Sequence, residues 1–461
     1  MPKHAGENAV VIGGSIAGLM TARVLADHFD QVLVLERDHI VGEPAVHKSI
    51  PQGNHLHALL LSGQQVLSRL YPGFTDKLQN LGAVRLRLGK DNAVLLPDRK
   101  SYSLGGAVRE PRDLGIDIYC QSRGLLEFCI RQCTRELPNI SFLSDCTVRR
   151  LISRNTHVDG VVYDHDGGSH EVRSDLVADT GGRGSHAPGW LRELGFAAPE
   201  ETSIGIDFAY VSAKYRIPNY SEPERLLSVR ALGPNDPNIG LIEEIEGNVF
   251  HLSLGGRFGE YPPADEEGFL NFAKSLHTPK LYDLIKDAER VTDITTHRFP
   301  TSLRRHYERL AAFPNGFLVL GDAIASFNPL YGQGMSSAAL QVRALDDLFN
   351  ERAREGAGLN GLGPTFFARA TEVVDAPWTL AANADFAFPK TVGERPANLD
   401  GEGSQYFTAL EELCAEDIGV HILTVEVFNL VKPLSELFEG PLRSRIREHI
   451  SRRTTSNVRA K

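Results

Sequence analysis

Residues 8–37, NAVVIGGSIAGLMTARVLADHFDQVLVLER, constrain the fold more than any other stretch. A short apolar run at 9–12 meets a glycine cluster, the cluster opens onto residues of helical spacing, and a second apolar run at 32–35 ends at Glu36. That order predicts strand, tight turn, helix and strand, the opening of a dinucleotide-binding unit. Gly13 lets the chain turn out of the strand, and Gly18 lets the helix lie close to the sheet. The helix N-terminus then offers unpaired N–H groups and partial positive charge to a pyrophosphate. Glu36 stands where a carboxylate accepts ribose hydroxyls. Ser15 takes the middle position of the GxGxxG pattern, and it is the smallest residue that adds a side chain. The competing reading is a glycine-rich turn in an ordinary βαβ unit; the acidic residue at the second strand's end favours a nucleotide.

At 461 residues the chain is long enough for two or three cores, and 42% hydrophobic residues exclude wholesale disorder. A formal charge of -10 argues against nucleic acid as a partner. The one basic cluster is the tail, PLRSRIREHISRRTTSNVRAK, which reads as a solvated helix end with a frayed terminus. Five cysteines, none in a CxxC, fit a reducing cytoplasm. No stretch is apolar enough to span a bilayer, and residues 1–8 hold no leader-like apolar run. A soluble, cytoplasmic protein is expected, its oligomeric state left open.

Further along, residues 51–55 read as a loop delivering a helix that runs from His57 to Leu70. His55 and His57 invite a metal reading, rejected because no third or fourth ligand lies at usable spacing. Residues 83–104 read as a pair of short strands and 119–137 as a patterned helix, with Arg123 near its start as either a surface residue or a phosphate contact. Residues 140–180 read as a β-meander with a DHDGG hairpin, ending in a second strand-to-glycine junction, DLVADTGGRGS. Residues 203–257 alternate as long antiparallel strands, a natural substrate floor, and a helical stretch follows at about 265–288. A third junction lies at 316–349: a strand, Asp322 at its end, a loop with Pro329, Gly332 and Gly334, then a long helix from about Met335. Beyond about residue 361 the chain reads as helical, with one polar loop at 394–404.

These junctions, taken together, resemble the group A FAD-dependent monooxygenases, the p-hydroxybenzoate hydroxylase-like fold, over about the first 350 residues. The nearest likeness is to the bacterial branch containing natural-product epoxidases. VIGGSIAGL, PQGxHxH, SRxxLE, DTGGRGS and GDAxxxxNPxYGQGM stand here in that branch's order. The resemblance implies an α/β architecture: a discontinuous Rossmann-like FAD-binding domain (1–80, 111–190 and 296–355), substrate-domain strands at 81–110, an inserted antiparallel substrate-binding sheet (191–295) and a C-terminal helical region (356–461). It also implies FAD in the first site. Gly13, Ser15 and Gly18 would hold the pyrophosphate and Glu36 the adenosine ribose, with Ile16, Ala17 and Arg37 also in the cofactor set. Arg123 would reach the pyrophosphate or ribityl region, and Val148 would meet adenine through its backbone. Asp179 at the second junction and Asp322 at the third join the set, Asp322 on the ribityl or phosphate side. Pro329 joins the cofactor set, and the Gly332 to Met335 amides, Gly334 among them, would border the flavin's pyrimidine edge, with Asn54, His55 and His57 near flavin or substrate.

The activity so implied is epoxidation or hydroxylation of a large apolar polyketide or terpenoid, with NADPH or NADH as reductant. Epoxidation needs no protein base, and no base is identified. One departure stands out: Asn54 replaces the arginine usual in the PQGxHxH loop. Some relatives keep FAD without net oxidation, as in [4+2] cyclases that fold a polyene into a decalin ring, and Asn54 keeps that alternative open. A halogenase is disfavoured, since no WxWxIP-like motif and no lysine in a matching context is present.

Overall fold

The computed structural model describes residues 5–46, 51–395 and 402–459. Outside them lie residues 1–4 of the stretch expected to hold no leader-like run, residues 47–50, residues 396–401 of the expected polar loop and the last two of the basic tail. Five short strands, all paired in parallel, form the first sheet in the order Phe317–Val319, Leu176–Asp179, Gly6–Ile12, Phe29–Leu35, Ile140–Leu143. Their near-continuous apolar runs are what a sheet covered on both faces requires. Ile16–Leu25, the helix after the first turn, is buried along most of its length, and Gly334–Glu355 and Arg123–Arg135 pack against it.

The second sheet has ten strands, built on the 17-residue strand Glu200–Arg216. Thr295–His306 and Val249–Arg257 flank that strand in antiparallel register, and Ile239–Ile245 follows Val249–Arg257. Strand alternation divides its residues between two cores. Ile204, Ile206, Phe208 and Tyr210 belong to the core shared with the parallel sheet. Val211, Ala213 and Tyr215 face a second core, closed by helices Glu402–Glu416, Ile418–Phe428 and Gly440–Arg459.

Several expected boundaries move. Tyr119 and Cys120 belong to a strand, Asp117–Cys120, and the helix starts at Arg123, where the Ser122 hydroxyl caps the Leu125 N–H. The expected meander is split: Ile140–Leu143 joins the parallel sheet, and only Thr147–Arg154, His157–His165 and Gly168–Arg173 form an antiparallel trio. Its DHDGG hairpin holds, with Asp166 and Gly167 both at positive φ, the pair of angles a two-residue hairpin turn demands. Within 83–104 the expected strand pair is Asn92–Leu95 with Lys100–Ser101, which joins the large sheet, while a further strand, Val84–Arg87, pairs with Asp117–Cys120. The helix expected from His57 begins only at Leu61, preceded by a short turn, Pro51–Asn54. A helix, Glu402–Glu416, already begins within the expected 394–404 loop.

All five cysteines are free and buried. No helix among the described residues is long and apolar enough to cross a membrane.

Gly18 marks the tightest approach in the first unit: a Cβ there would lie 1.8 Å from the Gly13 carbonyl oxygen and 2.8 Å from Thr180 Oγ1. Gly18→Val should therefore push the helix off the sheet and destabilise the chain by about 2–3 kcal/mol, read as a lower urea midpoint than that of the unsubstituted chain.

Candidate active site

The three glycine junctions open at one level of the parallel sheet. Ile12 is in register with Leu35 on one side and Asp179 on the other, and Asp179 with Val319 beyond. The N–H groups of Gly13, Thr180 and Leu320 each bond to a neighbouring strand's last carbonyl, those of Leu35, Ile12 and Asp179, at 2.9 Å. A cavity of about 770 Å³ lies over these ends and extends to the inner face of the large sheet.

At one end Glu36, 5% exposed, accepts the Gly14 N–H at 2.6 Å on Oε2 and the Asp38 N–H at 2.8 Å on Oε1. Ser15 heads the first helix but caps nothing; its hydroxyl donates to Glu127 at 2.7 Å and accepts from Arg123 Nη2 at 2.8 Å. The serine that replaces the middle glycine thus holds Arg123 at the cavity wall, and the Arg123 Nε is buried without a partner.

Asp322 sits in a short turn, Gly321–Ala323, against the start of Gly334–Glu355; a Cβ on Gly334 would lie 3.7 Å from its Oδ1. Burial raises its pKa, opposed by Arg123 and then Arg183. Asp179 is also raised by burial, but both its oxygens are engaged within its own loop, by Ser185 Oγ and by the Gly181 N–H at 2.8 Å. The long helix starts with no side-chain cap and no acidic residue in its first turn, as does the first helix. Two sets of unpaired N–H groups thus belong to helices whose first residues line the cavity, suited to phosphate or anionic flavin.

Of the residues read from the sequence, Gly13, Ser15, Ile16, Ala17, Glu36, Arg37, His57, Arg123, Val148, Asp179, Asp322, Pro329, Gly332, Gly334 and Met335 line this one cavity. Gly18 lies beneath it as a packing residue. Asn54 does not line it: the tight Pro51–Asn54 turn directs Gln52 inward and leaves Asn54 exposed. His55 lies behind the wall, 1% exposed, with its Nδ1 2.7 Å from Ser212 Oγ.

Sequence reasoning missed Arg183, although the motif quoted for the second junction contains it. Arg183 Nη2 donates to Thr301 Oγ1 at 2.6 Å and Nη1 to Ser326 Oγ at 3.3 Å, and the guanidinium lies 5.0 Å from the Phe299 ring. Arg305, missed as well, donates to the carbonyls of Arg183 and Ala323 and so ties the second junction to the third. Nothing in the sequence signals Arg305, because it is placed by a strand remote from both.

Phe208, Tyr210, Ile239, Leu241, Ser253, His297 and Phe299 form the far side. Burial dominates the titration here: it pushes His55 down to about 3 and His57 to about 4, and lowers His297. At neutral pH the histidines here are neutral and the surface is mainly apolar, with a few hydrogen-bonding groups and Arg298 among the lining, the make-up of a site for a largely apolar ligand. No group of three or more metal-ligating side chains able to hold an ion occurs among the described residues.

This fold is that of the group A FAD-dependent monooxygenases and their halogenating relatives. The flavin-dependent brominase Bmp2 superposes with a TM-score of 0.65 at 15% identity, covering 98% of this chain and 100% of that one. The p-nitrophenol 4-monooxygenase PnpA from Pseudomonas putida DLL-E4 gives 0.64 at 18%, covering 93% and 99%. No family model matches the chain. By sequence the chain belongs to the same family as Protein Rv3254 of Mycobacterium tuberculosis (strain ATCC 25618 / H37Rv), 31% identical over 401 residues, covering 84% of this chain and 82% of that protein.

The buried histidine sets a pH dependence. His55 is neutral in the folded chain down to about pH 3, whereas unfolded it takes a proton below its ordinary 6.5. The unfolded state binds more protons in that window, so stability is full above it and falls as the pH drops through it. Urea midpoints of the unsubstituted chain and His55→Gln, compared from about pH 7 to 4, should show the variant losing less, by up to about 1.4 kcal/mol per pH unit.

Proposed function

We propose that the chain is an FAD-dependent monooxygenase, an epoxidase or hydroxylase, acting on a large apolar polyketide or terpenoid in secondary metabolism, with NADPH or NADH as reductant. One observation carries this reading: the dinucleotide cradle of Glu36, Arg123 and Asp322 and the apolar floor of Phe208, Leu241 and Phe299 line the same cavity. The residues fit FAD, since two uncapped helix N-termini, the unpartnered Nε of Arg123 and the carboxylate of Glu36 supply the donors and acceptors its phosphates and ribose need. Bound and reduced FAD supplies an electrophilic oxygen atom drawn from dioxygen.

The chain's own part is to bind, orient and exclude water. Arg123 and the first helix hold the phosphates, and Glu36 fixes the adenosine end. The sheet floor keeps an alkene or activated ring close while shutting out solvent. Tyr210, Ser253 and the neutral His297 are the polar groups available to orient a substrate oxygen. Residues 1–80, 111–190 and 296–355 would then serve the cofactor and 191–295 the substrate.

Two alternatives lose ground. The [4+2] cyclase reading rested on the charge missing at Asn54, yet Asn54 is outside the cavity while Arg123 and Arg183 line it. Halogenation, the chemistry of Bmp2, is disfavoured because no lysine is among the described residues lining the cavity.

The purified protein should be yellow and consume NADPH faster when given an apolar polyene, with a product heavier by one oxygen. A product of unchanged mass formed without NADPH would instead support the cyclase, and a colourless chain that rejects FAD would sink both. Arg123→Ala, which removes charge-assisted bonds of about 1.5–3 kcal/mol, should weaken FAD roughly ten- to a hundredfold in a fluorescence titration.

A further inference from the structure

We propose that Asp385 is a positioning residue for the loop that precedes the Gly334–Glu355 helix, and so for the flavin edge that loop faces. The inference rests on the flavin reading above. Asp385 is the last residue of helix Leu362–Asp385, far from the other site residues in sequence, and only 1% exposed. Its Oδ1 accepts three bonds of 2.8 Å, from Arg257 Nη1, Asn328 Nδ2 and the Tyr331 hydroxyl. Its Oδ2 is buried with no partner.

Two of the three donors come from the cofactor loop. Asn328 uses both ends of its amide, since its Oδ1 caps the Leu330 N–H at 3.1 Å. Tyr331 lines the cavity while its hydroxyl is turned to Asp385 and to Arg257 Nη2, the latter at 3.2 Å. Asn328 and Tyr331 of the NPxYGQGM sequence therefore serve Asp385 with their side chains. The third donor ends a strand of the substrate sheet. Arg257 is fully buried, with its guanidinium 4.8 Å from the Phe388 ring and 5.7 Å from the ring of Phe208, a floor residue.

One carboxylate thus binds the cofactor loop, the floor and the C-terminal helical region together. Because its three donors converge on one oxygen, a displacement of any of the three parts strains the bonds to the other two. The amides of residues 332–335 follow directly after Tyr331, so their placement depends on this carboxylate.

The test compares full-length wild type, Asp385→Asn and the paired replacement Arg257→Met with Asp385→Leu. Apolar residues of similar volume can stand in for a buried ion pair, so the paired variant should fold, with circular dichroism near wild type and flavin-free melting lowered only by the lost bonds of Asn328 and Tyr331. It should nevertheless bind FAD roughly tenfold more weakly, with an altered visible band shape and a displaced midpoint potential. Asp385→Asn, which leaves Arg257 unpaired, should show the same changes together with a lower melting temperature. A folded paired variant with wild-type FAD affinity, spectrum and potential would make Asp385 a mere structural clamp and overturn the proposal. Should the paired variant not fold, Tyr331→Phe keeps the ion pair and should move spectrum and potential in the same direction by less; no movement overturns it too. Wild type that takes up no FAD overturns the flavin reading and this inference with it, a result separable from failure of the variants alone.

Discussion

The level row of Leu35, Ile12, Asp179 and Val319 across four parallel strands is the constraint from which the site follows. Parallel strands in register present their carboxyl ends on one edge, and each chain leaving that edge must turn at once or collide with its neighbour. Gly13 at φ +101° and Gly321 at φ +70° supply turns that side-chain-bearing residues rarely adopt. Three stretches separated by well over a hundred residues thereby open onto the same space. A crevice outside the carboxyl ends of such a sheet is where ligands of this fold class bind.

Electrostatics then makes the crevice selective. Neither helix that starts there carries an acidic residue in its first turn, and Arg123 and Arg183 add positive charge at the wall. Of the three acids in the lining, Glu36 is committed to two backbone amides and Asp179 to its own loop, and burial raises the pKa of the third, Asp322. On the opposite side burial keeps the histidines neutral, so the cavity runs from an electropositive cradle to a mainly apolar floor. One end suits phosphate and the other suits hydrocarbon.

Much of this was legible in the sequence because it rests on local signals. Glycine after an apolar run, an acid at the second strand's end, and proline and glycine before a long helix each reflect a backbone requirement met within a few residues. Long-range facts left no such trace. Tyr119 and Cys120 look helical in isolation because their strand exists only through its pairing with Val84–Arg87. Ile140–Leu143 reads like the start of a meander, yet the open edge of Phe29–Leu35 claims it. Asn54 was singled out by comparison with a pattern, and the direction of its side chain depends on a tight turn that the pattern does not encode. Asp385 and Arg305 escaped notice because each acts on segments distant in the chain.

The long strand Glu200–Arg216 carries a consequence for how such a chain diversifies. Alternate residues face either the cavity or the second core, so Phe208 and Tyr210 are separated from Val211, Ala213 and Tyr215 by nothing but the pleat. If the cavity serves as proposed, natural variation at the first set would reshape what it accepts while the second set goes on holding the sheet together. Selectivity and solidity are thus encoded at interleaved positions, leaving a lineage free to explore new substrates without first rebuilding its scaffold.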